Sequence, residues 1–197
     1  MNMKLSEILK IPVNSDAVFK LPDALLKTAK VVGKSEQRDV FSVSFNAEGK
    51  LLYVFFNKSG DELSAYVIVE EVELFSRDIA VIKRMWTLPA LQKQGYISGL
   101  LKFIRDFIKM SIMSDSEQTP SARTFWNSIG NKFDVKVFDL KSGEIKQKSE
   151  FADTDIYSNS AATKYRLFLD SNSVKKEIKE WVDPVLTPYC YFEKGDE

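Results

Sequence analysis

Along this chain the spacing of apolar side chains changes period several times, and each change marks a new element. Residues 3–11, MKLSEILKI, and residues 21–32, with Pro22 near the start and Gly33 beyond the end, carry helix signals. Asn14-Ser15-Asp16 between them has turn chemistry, and residues 17–20 are the one weak candidate for an opening strand. From Asp39 the period becomes that of strands. Residues 40–45, 50–56 and 63–74 are β-branched and aromatic runs, separated by turns at Asn46-Ala47-Glu48-Gly49 and Ser59-Gly60-Asp61. Ser76-Arg77-Asp78 returns the chain into a fourth strand containing Ile79, Val81, Ile82, Met85, Trp86 and Leu88, stopped by Pro89.

The period then switches to helical. Ile97, Leu100, Leu101, Ile104, Phe107 and Ile108 recur on one face, with Ser98, Lys102, Arg105 and Lys109 opposite. Residues 111–115 read as a short apolar strand, and residues 119–130 as a helix with Thr119 as cap, Pro120 in its first turn and Gly130 at its end. Residues 133–140 and 145–149 pair as strands around the turn Lys141-Ser142-Gly143-Glu144. Residues 150–163 are a polar, turn-rich loop, 164–169 a strand, and 174–182 a charged helix ahead of a tail bearing Tyr189, Tyr191 and Phe192. The order predicts an α+β fold, a mixed and mostly antiparallel sheet flanked by helices, in one domain over 1–197 with a C-terminal helix and tail from about 171.

Chemistry concentrates where strand gives way to helix. The turn Gln92-Lys93-Gln94-Gly95-Tyr96-Ile97-Ser98 places a glycine at the helix entry, where unpaired backbone N–H groups and the positive end of the helix dipole form an anion site suited to a phosphate or pyrophosphate. It has no Gly-Lys-Ser/Thr of a Walker A loop and no three spaced glycines of a dinucleotide fingerprint.

Composition narrows the chemistry further. The 197 residues are 44% hydrophobic, 12% aromatic and 28% charged, as in an ordered globular protein. Lys plus Arg equals Asp plus Glu at 28 each, so no whole-molecule field favours nucleic acid or an anionic membrane. Residues 77–110 nevertheless carry seven basic side chains against Asp78 and Asp106, an excess that suits a coenzyme's phosphates or a solvated helix face. With no histidine, imidazole catalysis and the usual zinc ligands are absent; the single Cys190 excludes an internal disulfide. No apolar run is long enough to span a membrane and no secretory segment opens the chain, so a cytoplasmic protein is expected.

Gln92, Gly95 and Ser98-Gly99-Leu100-Leu101 resemble the coenzyme A loop of the GNAT superfamily of N-acyltransferases, Gln/Arg-x-x-Gly-x-Gly/Ala, with Ile97 where the family prefers Gly or Ala. Ala122, Phe125 and Trp126 match the family's second half, Asn-x-x-Ala-x-x-Leu-Tyr-x-x-x-Gly-Phe, Trp126 taking the tyrosine slot. The Ser-Asp-x-x-x-Thr lead-in and that Trp look most like virus-encoded members, whose site of action would be the host cytoplasm. The resemblance covers about residues 79–133. It implies acetyl-coenzyme A as cosubstrate, no metal, and direct acyl transfer to an unidentified amine.

Under it Met85, Thr87 and Leu88, where a strand bulge is expected, and Gln92, Lys93, Gln94, Gly95, Tyr96, Ile97 and Ser98 bind the coenzyme. Because an indole N–H is no useful acid, Asp115 and Tyr157 are the candidate catalytic groups. Two other readings stand beside this one: a catalytically inactive binding protein on the same fold, and acyl transfer onto a modified nucleobase. A homodimer is compatible with the aromatic tail.

Overall fold

In a computed structural model the described residues are 29–47, 49–116, 118–157 and 164–171. The predicted helices at 3–11 and 174–182, most of 21–32, the strand candidate at 17–20, the aromatic tail and Cys190 lie outside them. Strands β1 (Lys30–Ser35), β2 (Arg38–Ala47), β3 (Lys50–Ser59), β4 (Glu62–Leu74) and β5 (Arg77–Thr87) form an antiparallel meander. A 3-10 turn at Pro89–Leu91 leads to helix α1 (Tyr96–Phe103), which continues as a π-helical turn over Ile104–Ile108. Strand β6 (Ser111–Met113) then pairs parallel to β5, and helix α2 (Pro120–Ile129), strands β7 (Val135–Asp139) and β8 (Ile145–Gln147), helix α3 (Asp153–Tyr157) and strand β9 (Tyr165–Leu169) follow among the described residues. The sheet order is β1-β2-β3-β4-β5-β6-β9-β7-β8, with β5–β6 its one parallel pairing among the described residues. This is the mixed, mostly antiparallel sheet with flanking helices that the periodicities predict.

One face of the sheet packs Tyr53, Phe55, Val67, Val69, Ala80 and Ile82 against Leu100, Leu101, Phe103 and Ile104 of α1 and Trp126 and Ile129 of α2. The apolar stripe that predicts α1 accounts for this burial, but the π-turn changes which residues it presents. One extra residue per turn rotates the last turn, so Phe107 is left 42% exposed. Ser98, read as polar-face, is buried in the first turn of α1.

Residues 30–32, read as the end of a helix, are strand, and Gly33 lies inside β1. The reason is packing: a Cβ on Gly33 would stand 2.5 Å from Phe103 Cε2, so only glycine lets β1 pass beneath that ring. The strand expected over 145–149 stops at Gln147, where a 3-10 turn at Lys148–Glu150 begins, and the polar loop at 150–163 holds α3.

On the opposite face Val54, Phe56, Tyr66 and Ile68 are fully buried. Tyr66 stacks on Trp86, ring centroids 5.8 Å apart, and its buried hydroxyl has the Arg84 guanidinium as its polar neighbour. Burial pushes that phenol up to about 12, with the Arg84 charge pulling the other way. An acid whose folded pKa exceeds its unfolded value holds its proton more tightly when folded. Its share of stability is therefore intact below pH 10 and drains away as the pH climbs toward 12. Tyr66→Phe is expected to change stability by no more than about 1 kcal/mol at pH 7, because relieving the buried hydroxyl is offset by losing its interaction with the Arg84 guanidinium. It should also lose about 1 kcal/mol less than the parent between pH 9 and 11. Urea unfolding at both pH values measures this; equal losses would mean Tyr66 ionises as freely folded as unfolded.

Candidate functional site

The segment β5–α1–β6 is a parallel β-α-β unit, so the C-terminal ends of β5 and β6 and the start of α1 lie at one end of the sheet. The two strands separate there. Pairing stops at Val81↔Met113, whereas β5 runs on to Thr87. Peptide direction alternates along a strand. Leu88 N–H donates to the Ser64 carbonyl (2.9 Å), so Leu88 and Trp86 turn their peptides toward β4, and Met85 and Thr87 turn theirs into the gap beyond β6. Among the described residues no strand pairs with that edge of Met85 and Thr87.

The bulge expected at Met85–Leu88 falls earlier. Ile68 pairs with Arg84 and Val69 with Ile82, so the extra residue is Lys83. Lys83 Nζ donates to Asp115 Oδ1 at 3.0 Å and lies 3.8 Å from Glu70 Oε2, and Lys50 Nζ meets Glu70 Oε1 at 3.2 Å. Charges of alternating sign thus cross β3, β4, β5 and the end of β6. Burial lowers the Arg166 pKa, and the Asp115 charge partly restores it. Asp115 Oδ1 also accepts from Ser116 N–H (2.7 Å). It stands at the mouth of the gap as a hydrogen-bond acceptor.

At the helix entry Gly95 adopts φ 83°, a left-handed conformation that side chains disfavour, and carries no side-chain cap. Gly99 N–H is the first to find an intrahelical acceptor, the Gly95 carbonyl at 2.8 Å, so the amides of Tyr96, Ile97 and Ser98 precede the helical ladder. Ile97 and Tyr96 pack against the core, so the branched side chain in the family's small-residue position turns inward rather than into the loop mouth. Ser98 Oγ donates back to the Gly95 carbonyl (3.0 Å). Gln92 and Lys93 are exposed, and Gln94 Nε2 donates to the Ala90 carbonyl (3.0 Å).

Tyr157 is placed elsewhere. Its hydroxyl donates to Asn127 Oδ1 (3.2 Å) on α2, which Lys148 Nζ also reaches (2.6 Å), and Arg123 lies over its ring at 5.2 Å. Burial first, then the Asp153 charge, push its pKa up to about 12. No hydrogen bond or ion pair among the described residues joins Tyr157 to Asp115. Trp126 is 2% exposed within the core, edge-on to Phe125, so the tyrosine slot holds a packing residue.

Three side chains near the loop carry no local motif. Arg38 Nη2 donates to the Gln94 carbonyl (3.2 Å) and its guanidinium lies 4.0 Å over the Tyr96 ring; Ser35 Oγ donates to the Gly99 carbonyl (2.6 Å); the Glu36 carboxylate lies beside Gly95. All come from the β1–β2 hairpin, more than fifty residues upstream, and no spacing in the sequence signals them.

A separate cleft of about 340 Å³ lies at the far end of α1, lined by Arg105, Lys109 and Lys136 and by Asp106, Asp134 and Asp170. Its charges cancel and the helix dipole is negative there, so it offers an anion little. Among the described residues no group of side chains is arranged to hold a metal, and no helix is long and apolar enough to cross a membrane.

Among solved structures, a candidate GNAT-family acetyltransferase from Bacteroides thetaiotaomicron aligns with 73% of this chain and 74% of its own, at 14% identity and a TM-score of 0.37. No family model matches the chain, and no curated protein does.

Proposed function

We propose that the protein is an acyl-coenzyme A-dependent N-acyltransferase that moves an acetyl group directly onto a primary amine. The observation carrying this reading is the gap left where β5 outruns β6, with the peptides of Met85 and Thr87 turned into it at the end of the sheet where α1 begins uncapped. The amides of Gly95, Tyr96, Ile97 and Ser98 receive the pyrophosphate, with Gln92, Lys93 and Gln94 on the rim. Thioester and pantetheine lie along the β5 edge, where Met85 N–H or Thr87 N–H donates to the carbonyl oxygen as charge develops on it, and Leu88 closes the strand end.

The amine nitrogen attacks the carbonyl carbon, the C–S bond breaks, and the amine's proton is lost as the thiolate gains one. Asp115 is the proposed proton acceptor at the mouth of the gap, with the Lys83 ammonium facing the developing thiolate. Tyr157, its hydroxyl engaged by Asn127, is the weaker candidate.

Burial of Trp126 in the slot where the family carries a tyrosine favours a second reading, a binding protein that holds the coenzyme without turnover. Acetyl-coenzyme A at a hundred times its Kd is expected to add about 2.7 kcal/mol of stability, raising the Tm by roughly 5 °C or more. Release of free thiol with a panel of primary amines then separates enzyme from binder. No melting shift at millimolar acetyl-coenzyme A would remove both readings.

A further inference from the structure

Gly95 and Gly99 lie one helical turn apart at the start of α1, and together they open a slot on the side facing the β1–β2 hairpin. Glu36 Oε2 lies 3.4 Å from where a Cβ on Gly95 would stand and 3.7 Å from where one on Gly99 would stand. A carboxylate of the chain itself thus lies against the two glycines at the start of α1, with Ser35 Oγ nearer still at Gly99 (3.2 Å). Glu36 is held loosely: its side chain is 46% exposed and its ion pair with Arg38 Nη1 is long, at 3.5 Å.

Arg38, by contrast, is anchored to the loop through the Gln94 carbonyl and the Tyr96 ring. The hairpin tip is docked as well, since Ser35 Oγ donates to the Gly99 carbonyl from the residue before the left-handed turn at Glu36 and Gln37 (φ 49° and 69°). Rotation of the Glu36 side chain alone would therefore clear the slot, with the backbone and Arg38 left in place.

We infer that Glu36 is a resident anion which the coenzyme's phosphates displace, and that Arg38 is the cation the two share. The inference rests on the acyltransferase reading and adds to it a phosphate-binding side chain and a built-in competitor, both supplied by the hairpin rather than by the loop. Two like charges this close at a protein surface repel by enough to change affinity a few-fold to roughly tenfold. The competitor sets a threshold: coenzyme A must offer more than a carboxylate does, which favours a diphosphate over a small monoanion.

The test is calorimetric titration of the parent protein, Glu36→Gln, Arg38→Gln and Arg38→Lys with coenzyme A and, separately, with inorganic pyrophosphate. Glu36→Gln is expected to tighten coenzyme A by about three- to tenfold, Arg38→Gln to weaken it by a similar factor, and Arg38→Lys to recover part of the loss. Far-UV circular dichroism checks that each variant is folded. Equal coenzyme A affinity of the parent and Glu36→Gln would overturn the inference and leave the acyltransferase reading standing. A Glu36-dependent pyrophosphate site that gains nothing from the rest of coenzyme A would support the inference and sink that reading. Absence of binding in every folded variant would overturn both.

Discussion

Trp126→Ala is expected to cost roughly 3–5 kcal/mol and to leave much of the protein unfolded at physiological temperature. The side chain is 2% exposed, packs edge-on to Phe125, and belongs to the cluster that joins α1, α2 and the sheet. Alanine would leave a cavity under α2 that the surrounding strands, tied to one another by ladder hydrogen bonds, can only partly close. Trp126→Phe keeps most of the volume and should cost far less. Urea denaturation of the three proteins reads the difference. If Trp126→Ala remained nearly as stable as the parent while coenzyme binding or turnover vanished, the residue would belong to the functional machinery and not to the core.

The second large effect is on binding. Gly95→Val is expected to weaken coenzyme A at least tenfold, whereas Lys93→Ala changes it no more than two- to threefold. Gly95 sits at φ 83°, where a branched side chain is strained by about 1–2 kcal/mol or more, and its Cβ would enter the slot that Glu36 now approaches to 3.4 Å. The Lys93 side chain is exposed, so its charge is screened by salt. Titration at fixed ionic strength compares them. Equal losses would show that the anion is held by side-chain charge and not by the backbone of the α1 entry.

How legible the site was depends on which residues are considered. Gly95, with the polar run before it, marks the turn into α1 because a left-handed entry to a helix needs a residue without a side chain, and that is visible as one letter. Thr119 and Pro120 announce α2 in the same way, and Thr119 Oγ1 accepts from Ala122 N–H as the pattern requires (3.2 Å). Asp115 lies two residues past the end of β6, and no local signal names its partner, because Lys83 comes beside it only through the β5–β6 pairing that sets Val81 against Met113. The bulge falls at Lys83, two residues before the expected Met85–Leu88, since register depends on what the neighbouring strand presents. Tyr157 falls in the segment 150–163, whose polar, turn-rich composition predicts a loop; a short helix forms there around Ile156, whose burial no local period reveals.

What this sequence determines by itself is therefore local. Alternation and turn residues specify β2 to β5, the β7–β8 hairpin and β9, and apolar residues at helical spacing specify α1, because each of these signals is carried by side chains within a few positions of one another. Only the tertiary structure decides that Lys30-Val31-Val32 is strand, because those residues suit a helix end equally well until Phe103 covers Gly33. It alone turns Ile97 into the core, swings Phe107 outward through a π-turn, and sets Glu36 and Arg38 over the start of α1. The hairpin's placement follows from contacts between segments more than fifty residues apart, whose energies depend on packing and register across the sheet and leave no period in the chain.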